Sequence, residues 1–287
     1  MNSDPLPREE LIEQVYFFRT YRERLAQNLP AQEILETIRE EILATTRMPF
    51  AIDFLYDEIK LHGKISTGME RLSHYFRPFQ TCVMSAAEED KARFDLPIAL
   101  QILEREAEYL CGEPKPAGLF IFQFECISRN RIGYEAGLTA ISEDPFFSQD
   151  WREWVKMVKR SLGTRNFSDF IYLYSEFALG EHRRQQRDEE ATLDRPMLFD
   201  VQEGRIAKAN RSNDPLYMFA ALQRHLNYPI VPRSKGRSDE SPFPPALEAR
   251  LTRIEKRIQL IEMEQKNSVD LSEFYQKPTD FGEETSP

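Results

Sequence analysis

The chain contains 287 residues, of which 41% are hydrophobic and 30% are charged, and its formal net charge is −10. This composition is typical of folded globular proteins and argues against overall disorder. The negative charge argues against nucleic-acid binding, which needs clustered Lys and Arg side chains. No apolar run approaches the about 20 residues of a transmembrane segment, and the first residues lack the basic start and apolar core of a secretory signal. The three cysteines have no CxxC spacing and fit free thiols, so we expect a cytoplasmic protein.

The first predicted elements are six helices within residues 1–111. Leu11, Val15 and Phe18 recur at spacings of four and three, which places them on one face of a helix. Residues that stop or cap helices set the predicted boundaries: Pro30, Pro49, Gly63, Pro78 and Asp95. Short connections between amphipathic helices predict a compact antiparallel bundle of the six-helix type.

Residues 112–117 are predicted to be a linker, because two prolines and a glycine cannot continue a helix. A second, truncated helical bundle is predicted over residues 118–190. Its apolar pattern repeats that of the first bundle at an offset of 103 positions. The matched residues are Phe17 with Phe120, Tyr21 with Phe124, Leu29 with Ile132, Leu35 with Leu138 and Ile38 with Ile141. This match predicts tandem copies of one helical unit, giving an all-α fold.

Residues 191–227 are predicted to form a hairpin and a short helix. The loose alternation of residues 197–207 around Glu203 and Gly204 indicates a small β-hairpin. Asp214 before Pro215 predicts the start of the helix. Residues 228–245 carry five prolines and are predicted to be a flexible linker. Residues 267–287 are predicted to be a disordered tail.

Residues 246–266 have the hydrophobic spacing of a coiled coil. Five Leu and Ile residues follow the a/d rhythm, and Arg at g positions faces Glu at e positions of a parallel neighbour. The predicted oligomerisation residues are Leu247, Arg250, Leu251, Ile254, Glu255, Arg257, Ile258, Ile261 and Glu262. This pattern predicts a homo-oligomer. The alternative is a single amphipathic helix that lies on its own domain.

The sequence shows no arrangement of residues that is typical of a catalytic site. None of the four histidines has a second His or Cys at the spacing of a helical metal site. The sequence contains no GxxxxGK[ST], GxGxxG or GxSxG motif. The acidic residues from Glu88 to Asp90 are interpreted as solvated, since adjacent carboxylates on a helix do not converge. We therefore predict no catalytic residue, no cofactor and no metal, and a protein that is not an enzyme.

Short motifs in both predicted bundles resemble the cytoplasmic domain of the type II secretion system F protein and of the type IV pilus platform protein PilC. The family has a Phe-Phe pair, a turn near Gly-Leu-Pro, a Gly-x-Ser break and an Ala-Gly-Glu element. The similar positions in this chain are Phe17, Phe18, Leu29, Pro30, Gly63, Ser66 and Glu88, with Gly180 and Glu181 in the second bundle. This resemblance covers residues 11–190 approximately. It implies tandem six-helix domains and protein partners that include a secretion or pilus assembly ATPase.

The chain departs from the family in two ways. Ala87 stands where the family has Gly, and the membrane helices that follow each family domain have no counterpart. The leading hypothesis is a non-enzymatic adaptor or scaffold of a secretion or pilus-type assembly. The second hypothesis is a helical regulatory protein unrelated to secretion. A third is an enzyme of unrecognised type, whose sign would be a pocket where Glu88, Glu181 or a histidine meets other polar groups.

Overall fold

A computed structural model describes residues 6–89, 94–130, 132–211 and 213–233 of the chain. These residues form thirteen α-helices and no β-strand, which confirms the predicted all-α fold. Within them, the β-type pairing consists of two isolated bridges, Leu162 with Arg165 and Ser175 with Phe199. The predicted coiled coil and the predicted tail lie outside the described residues. None of the described helices combines the length and hydrophobicity that a membrane span requires.

The helices fall into two sets that follow one another along the chain. The first set is α1 (Arg8–Leu25), α2 (Ala31–Glu41), α3 (Met48–His62), α4 (Ile65–Arg71), α5 (Pro78–Glu88) and α6 (Leu96–Leu110). The second set is α7 (Pro116–Asn130), α8 (Tyr134–Glu143), α9 (Gln149–Ser161), α10 (Phe167–Leu173), α11 (Glu176–Gln186), α12 (Val201–Ala209) and α13 (Pro215–Leu226).

The residues that break or cap helices act largely as the sequence predicts. Gly63 follows α3 with a φ of 72°, a left-handed conformation that glycine adopts without strain. Pro97 lies in the first turn of α6, where its missing N–H removes no helical hydrogen bond. Asp95 stands at the predicted N-cap position of α6, but its carboxylate makes no capping hydrogen bond.

The two helix sets share a continuous hydrophobic core. In the first set α6 packs along α1, and the intervening helices pack on their sequence neighbours. In the second set α7 packs on α13, and α10 packs on α12. Contacts of α5 with α8 and of α6 with α7 join the sets, and the described residues form one compact unit. The predicted division into domains at residues 112–117 stays a prediction.

Helix positions in the two sets follow the predicted repeat. The helices α8, α9 and α10 begin 103, 101 and 102 positions after α2, α3 and α4. Phe17 and Tyr21 in α1 have ring centroids 5.9 Å apart. Phe120 and Phe124, the matched residues in α7, have the same separation of 5.9 Å. Side chains four residues apart lie this close on any α-helix, and the interplanar angles of the two pairs are 46° and 31°, so the repeat stays a prediction.

The predicted β-hairpin at residues 197–207 is wrong, because Val201–Ala209 is the helix α12. The carboxylate of Asp200 accepts the N–H groups of Gln202 and Glu203, and Glu203 in turn accepts the N–H of Asp200. This reciprocal capping box starts a helix. Gly204 serves close packing, because a Cβ there would lie 2.1 Å from Oγ of Ser175. The Glu-Gly pair that suggested a turn is thus part of a helix interface.

Candidate functional site

Two of the family-like motifs in the first helix set meet at the start of α4. The carboxylate of Glu88, at the end of α5, accepts the N–H of Ile65 and the N–H of Ser66, each at 2.8 Å. Gly63 makes the turn that brings this part of the chain back towards α5. A carboxylate at a helix N-terminus satisfies free N–H groups and interacts favourably with the helix dipole. The described contacts give these motif positions a structural role.

The other motif positions do not join that contact. Phe17 and Phe18 are buried in the core, and Leu29 and Pro30 lie in the turn that leads into α2. Glu181 accepts the hydroxyl of Tyr172 at 2.7 Å and pairs with Lys208 on α12. These bonds hold the pKa of Glu181 below its ordinary value. It joins α10, α11 and α12 and does not cap a helix as Glu88 does.

An apolar depression of about 390 Å³ lies on the surface of the second helix set. We call it the aromatic groove. It is formed by α7, the start of α8, the turn between α9 and α10, and the start of α13. Its lining residues are Phe124, Ser128, Tyr134, Leu162, Gly163, Phe167, Pro215 and Phe219.

Stacked rings form the floor of the aromatic groove. The rings of Phe124 and Phe167 lie 3.9 Å apart at an angle of 4°. Phe219 lies against both of them, at 6.2 and 5.8 Å between ring centroids. Tyr134 stands at the edge with 44% of its surface exposed. Phe124 and Phe219 are only 4% and 2% exposed, so the apolar area that the groove offers to a partner comes mainly from Tyr134, Leu162 and Phe167.

A basic flank adjoins the aromatic groove. A second depression of about 410 Å³ shares Tyr134 and Leu162 with the groove and is lined also by Lys159 and Arg160. Lys159 donates to Oγ1 of Thr139 and lies 3.7 Å from a carboxylate oxygen of Glu135. Arg160 is exposed and has no carboxylate partner among the described residues. The flank therefore presents positive charge on a chain whose formal net charge is −10.

A wider cleft of about 630 Å³ is lined by α4, α5 and α8, beside the contact of α5 with α8. Its wall includes Cys82, whose burial raises the pKa of the thiol to about 11. A thiol with so high a pKa stays protonated at neutral pH, which disfavours a role as a nucleophile. The rest of the wall is mainly hydroxyl and apolar groups, with Glu70, Glu89 and Glu143 at separate positions. This cleft gathers no reactive constellation among the residues that line it.

One polar cluster that the sequence did not predict lies between α12 and α13. Ligand atoms of Asp200, Glu203 and His225 all fall within 4.8 Å of one another. Burial raises the pKa of Glu203 to about 7. Burial also acts to raise the pKa of Asp200, but hydrogen bonds from Glu203, His225 and Gln202 outweigh it and hold that pKa below its ordinary value. The sequence search for metal sites covered only partners three or four residues from each histidine. His225 instead reaches these carboxylates from another helix.

A second unpredicted feature is the interhelix polar cluster, which lies where the two helix sets pack together. Its members are Arg77, Gln80, Glu106, Gln123 and Asp144. Glu106 is fully buried and accepts a hydrogen bond of 2.6 Å from Nε2 of Gln123. Burial raises the pKa of Glu106 to about 7. Because the cluster has no opening, it bears on stability and not on binding.

Comparisons of the chain with protein-family models, with curated proteins and with solved structures found no match.

Proposed function

We propose that the chain is a non-enzymatic adaptor that binds a partner protein through the aromatic groove. The observation that carries this proposal is an open, ring-lined depression beside the exposed Arg160 and the partly buried Lys159, on an otherwise acidic protein. The partner segment presents an apolar side chain, preferably aromatic, next to acidic residues. The side chain fills the groove, and the acidic residues pair with Arg160 and Lys159.

The adaptor belongs to a secretion or pilus-type assembly, and one of its partners is the assembly ATPase. Three features support this part of the proposal. The sequence resembles the F-type platform domain, the helices of the second set recur near the predicted offset of 103 positions, and the Gly63 and Glu88 motifs contact each other through the start of α4. Self-association through residues 246–266 gives such an adaptor several copies of the binding groove, which strengthens its binding to an assembly with repeated partners.

Copurification from cells tests the proposal with matched variants. The first variant, Tyr134→Ala, removes an aromatic side chain from the groove edge. The control, Phe50→Ala, removes a ring on α3 that is 74% exposed and lies outside the groove. A second pair is Arg160→Glu on the flank and Arg224→Glu, an exposed position on α13 that does not line the groove. The wild type and both controls are expected to recover the assembly ATPase, and the two groove variants to recover about fivefold less, since loss of an interface side chain that contributes on the order of 1 kcal/mol weakens binding by that factor.

Two outcomes would contradict the proposal, one for the binding site and the other for the partner. Equal recovery of the ATPase by all four variants would remove the groove from the binding site. Recovery of other proteins without any assembly component would favour the helical regulatory protein that the sequence left as an alternative. Circular dichroism of each variant ensures that a loss of binding is not a loss of folding.

A further inference from the structure

The side chains of Asp200, Glu203 and His225 converge from two different helices. Asp200 is the N-cap residue of α12, Glu203 lies one turn later, and His225 comes from the last turn of α13. Nε2 of His225 is 3.3 Å from Oδ2 of Asp200 and 3.9 Å from Oε1 of Glu203. The capping box fixes the two carboxylates, and the packing of α12 on α13 brings the imidazole to them.

Each carboxylate uses one oxygen for the backbone and directs the other towards His225. Oδ1 of Asp200 accepts the N–H groups of Gln202 and Glu203 at 2.8 and 2.9 Å. Oε2 of Glu203 accepts the N–H of Asp200 at 3.0 Å. Oε1 of Glu203 has no hydrogen-bond donor among the described residues, although the side chain is only 3% exposed. Ligand oxygens that are held in this way need little rearrangement to bind an ion.

One of the three ligand separations has the value of a small coordination sphere, and the other two are at most 4.8 Å. Nitrogen and oxygen ligands lie about 2.0–2.2 Å from a zinc ion, so two ligands at a tetrahedral angle are about 3.3–3.5 Å apart. The distance from His225 to Asp200 already has this value, and the distance to Glu203 needs to shorten by about half an ångström. An imidazole among the ligands favours a transition-metal ion over calcium or magnesium, which bind oxygen.

The side chains of Asp200 and His225 are 44% and 29% exposed, which gives an ion access from solvent, and a depression lies beside His225. His225 lines it together with Glu108, Glu113, Lys115 and Asn227. Two of these residues are acidic and one is basic. Together with the carboxylates of Asp200 and Glu203, their charges sum to a negative value around the site. This charge attracts cations, and the open side leaves room for water as a fourth ligand.

We propose that Asp200, Glu203 and His225 bind one divalent transition-metal ion, and that zinc fits the site best. The two carboxylates bind through Oδ2 and Oε1. The neutral imidazole binds through Nε2 and carries its hydrogen on Nδ1. The ion ties α12 to α13 and leaves one coordination position facing the depression. This site is independent of the aromatic groove.

Substitutions that keep the local fold allow the site to be tested in the full chain. Asp200→Asn retains a good N-cap residue, and Glu203→Gln retains the capping box, because Gln also serves at that position. Both remove an anionic ligand. His225→Gln removes the nitrogen ligand, and His74→Gln is the matched control at an exposed histidine on the loop before α5.

Equilibrium dialysis and calorimetry with zinc chloride are expected to give one bound ion per wild-type chain. Each ligand variant is expected to bind at least roughly 100-fold more weakly, since loss of even an outer partner of a ligand costs about 10–100-fold. The control is expected to match the wild type, and magnesium chloride at the same concentration to give no binding. Cobalt chloride is expected to give an absorption spectrum without a thiolate charge-transfer band, which excludes the cysteines as ligands.

Three results would overturn the proposal. The first is no zinc bound by the wild type at micromolar concentration, which would leave the cluster as an ion pair between α12 and α13. The second is binding that survives all three ligand substitutions. The third is a thiolate band with cobalt that disappears when the cysteines are alkylated, which would place the ion at a cysteine.

Discussion

Replacement of Glu106 by Gln tests how the interhelix polar cluster contributes to stability. Gln keeps the size of the side chain and an oxygen that accepts the hydrogen bond from Gln123, but it cannot ionise. Burial raises the pKa of Glu106 from an ordinary 4.5 to about 7 in the folded protein. Below pH 4.5 the carboxyl group is protonated in both states. Between pH 4.5 and pH 7 the unfolded chain loses its proton first, so the free energy of unfolding falls as the pH rises.

The size of this effect follows from the two pKa values. Each pKa unit corresponds to about 1.4 kcal/mol, so ionisation of Glu106 costs the wild type about 1 kcal/mol at pH 5 and about 3 kcal/mol at pH 8.5. Glu106→Gln avoids this cost. Its stability relative to the wild type is therefore expected to improve by about 2 kcal/mol between the two pH values.

Urea denaturation followed by tryptophan fluorescence measures this difference at pH 5 and pH 8.5. Trp151 and Trp154 are both buried and report unfolding of the second helix set. Glu23→Gln at an exposed position on α1 serves as the control and is expected to show no such change with pH. A stability difference between Glu106→Gln and the wild type that is the same at both pH values would refute the reasoning. So would a variant that is less stable than the wild type at pH 8.5.

Two further predictions concern packing and assembly. Gly204→Ala is expected to destabilise the protein by about 1–3 kcal/mol in urea denaturation, because the new methyl group meets Ser175. The control Gly180→Ala, where a Cβ has open space, is expected to be neutral or to stabilise by up to about 1 kcal/mol. A larger loss of stability for Gly180→Ala than for Gly204→Ala would contradict the packing of α12. A chain that ends at Ser234 is expected to give a smaller assembly in light scattering than the full chain, since it lacks the predicted coil; an unchanged mass per particle would remove residues 246–266 from the self-association.

The helices of the first set were largely predictable because local residues define them. Gly63 ends α3, and Asp95 and Pro97 mark the start of α6. The apolar spacing from Leu11 to Phe18 gave the buried face of α1, although Val15 itself is only partly buried. Asp214 and Pro215 likewise marked the start of α13. In these cases the signal lies within a few residues of the element it defines.

The misread hairpin shows where local signals fail. Glu203 and Gly204 are compatible with a tight turn when their neighbours in space are unknown. In the fold, Glu203 completes a capping box and Gly204 fits against Ser175 on another part of the chain. The Asp-x-x-Glu spacing from Asp200 to Glu203 is a helix-start signal and could have corrected the prediction.

The candidate sites were not predictable from spacing because distant segments build them. The aromatic groove joins Phe124 on α7 to Phe219 on α13, and in the sequence each ring looks like an ordinary core residue. His225 and Asp200 are likewise brought together by helix packing alone. Both rings are buried in the fold as well, so only the packing of α7 against α13 shows that they lie under a depression.

Hydrogen exchange of the full chain, with and without the partner recovered by copurification, tests the binding site most directly. We expect slower amide exchange in residues 160–167 and 215–219, which include the lining of the groove and its flank, and less protection when the Tyr134→Ala variant is mixed with the partner at the same concentration. Protection confined to α1–α6, with the groove segments unchanged, would contradict this expectation.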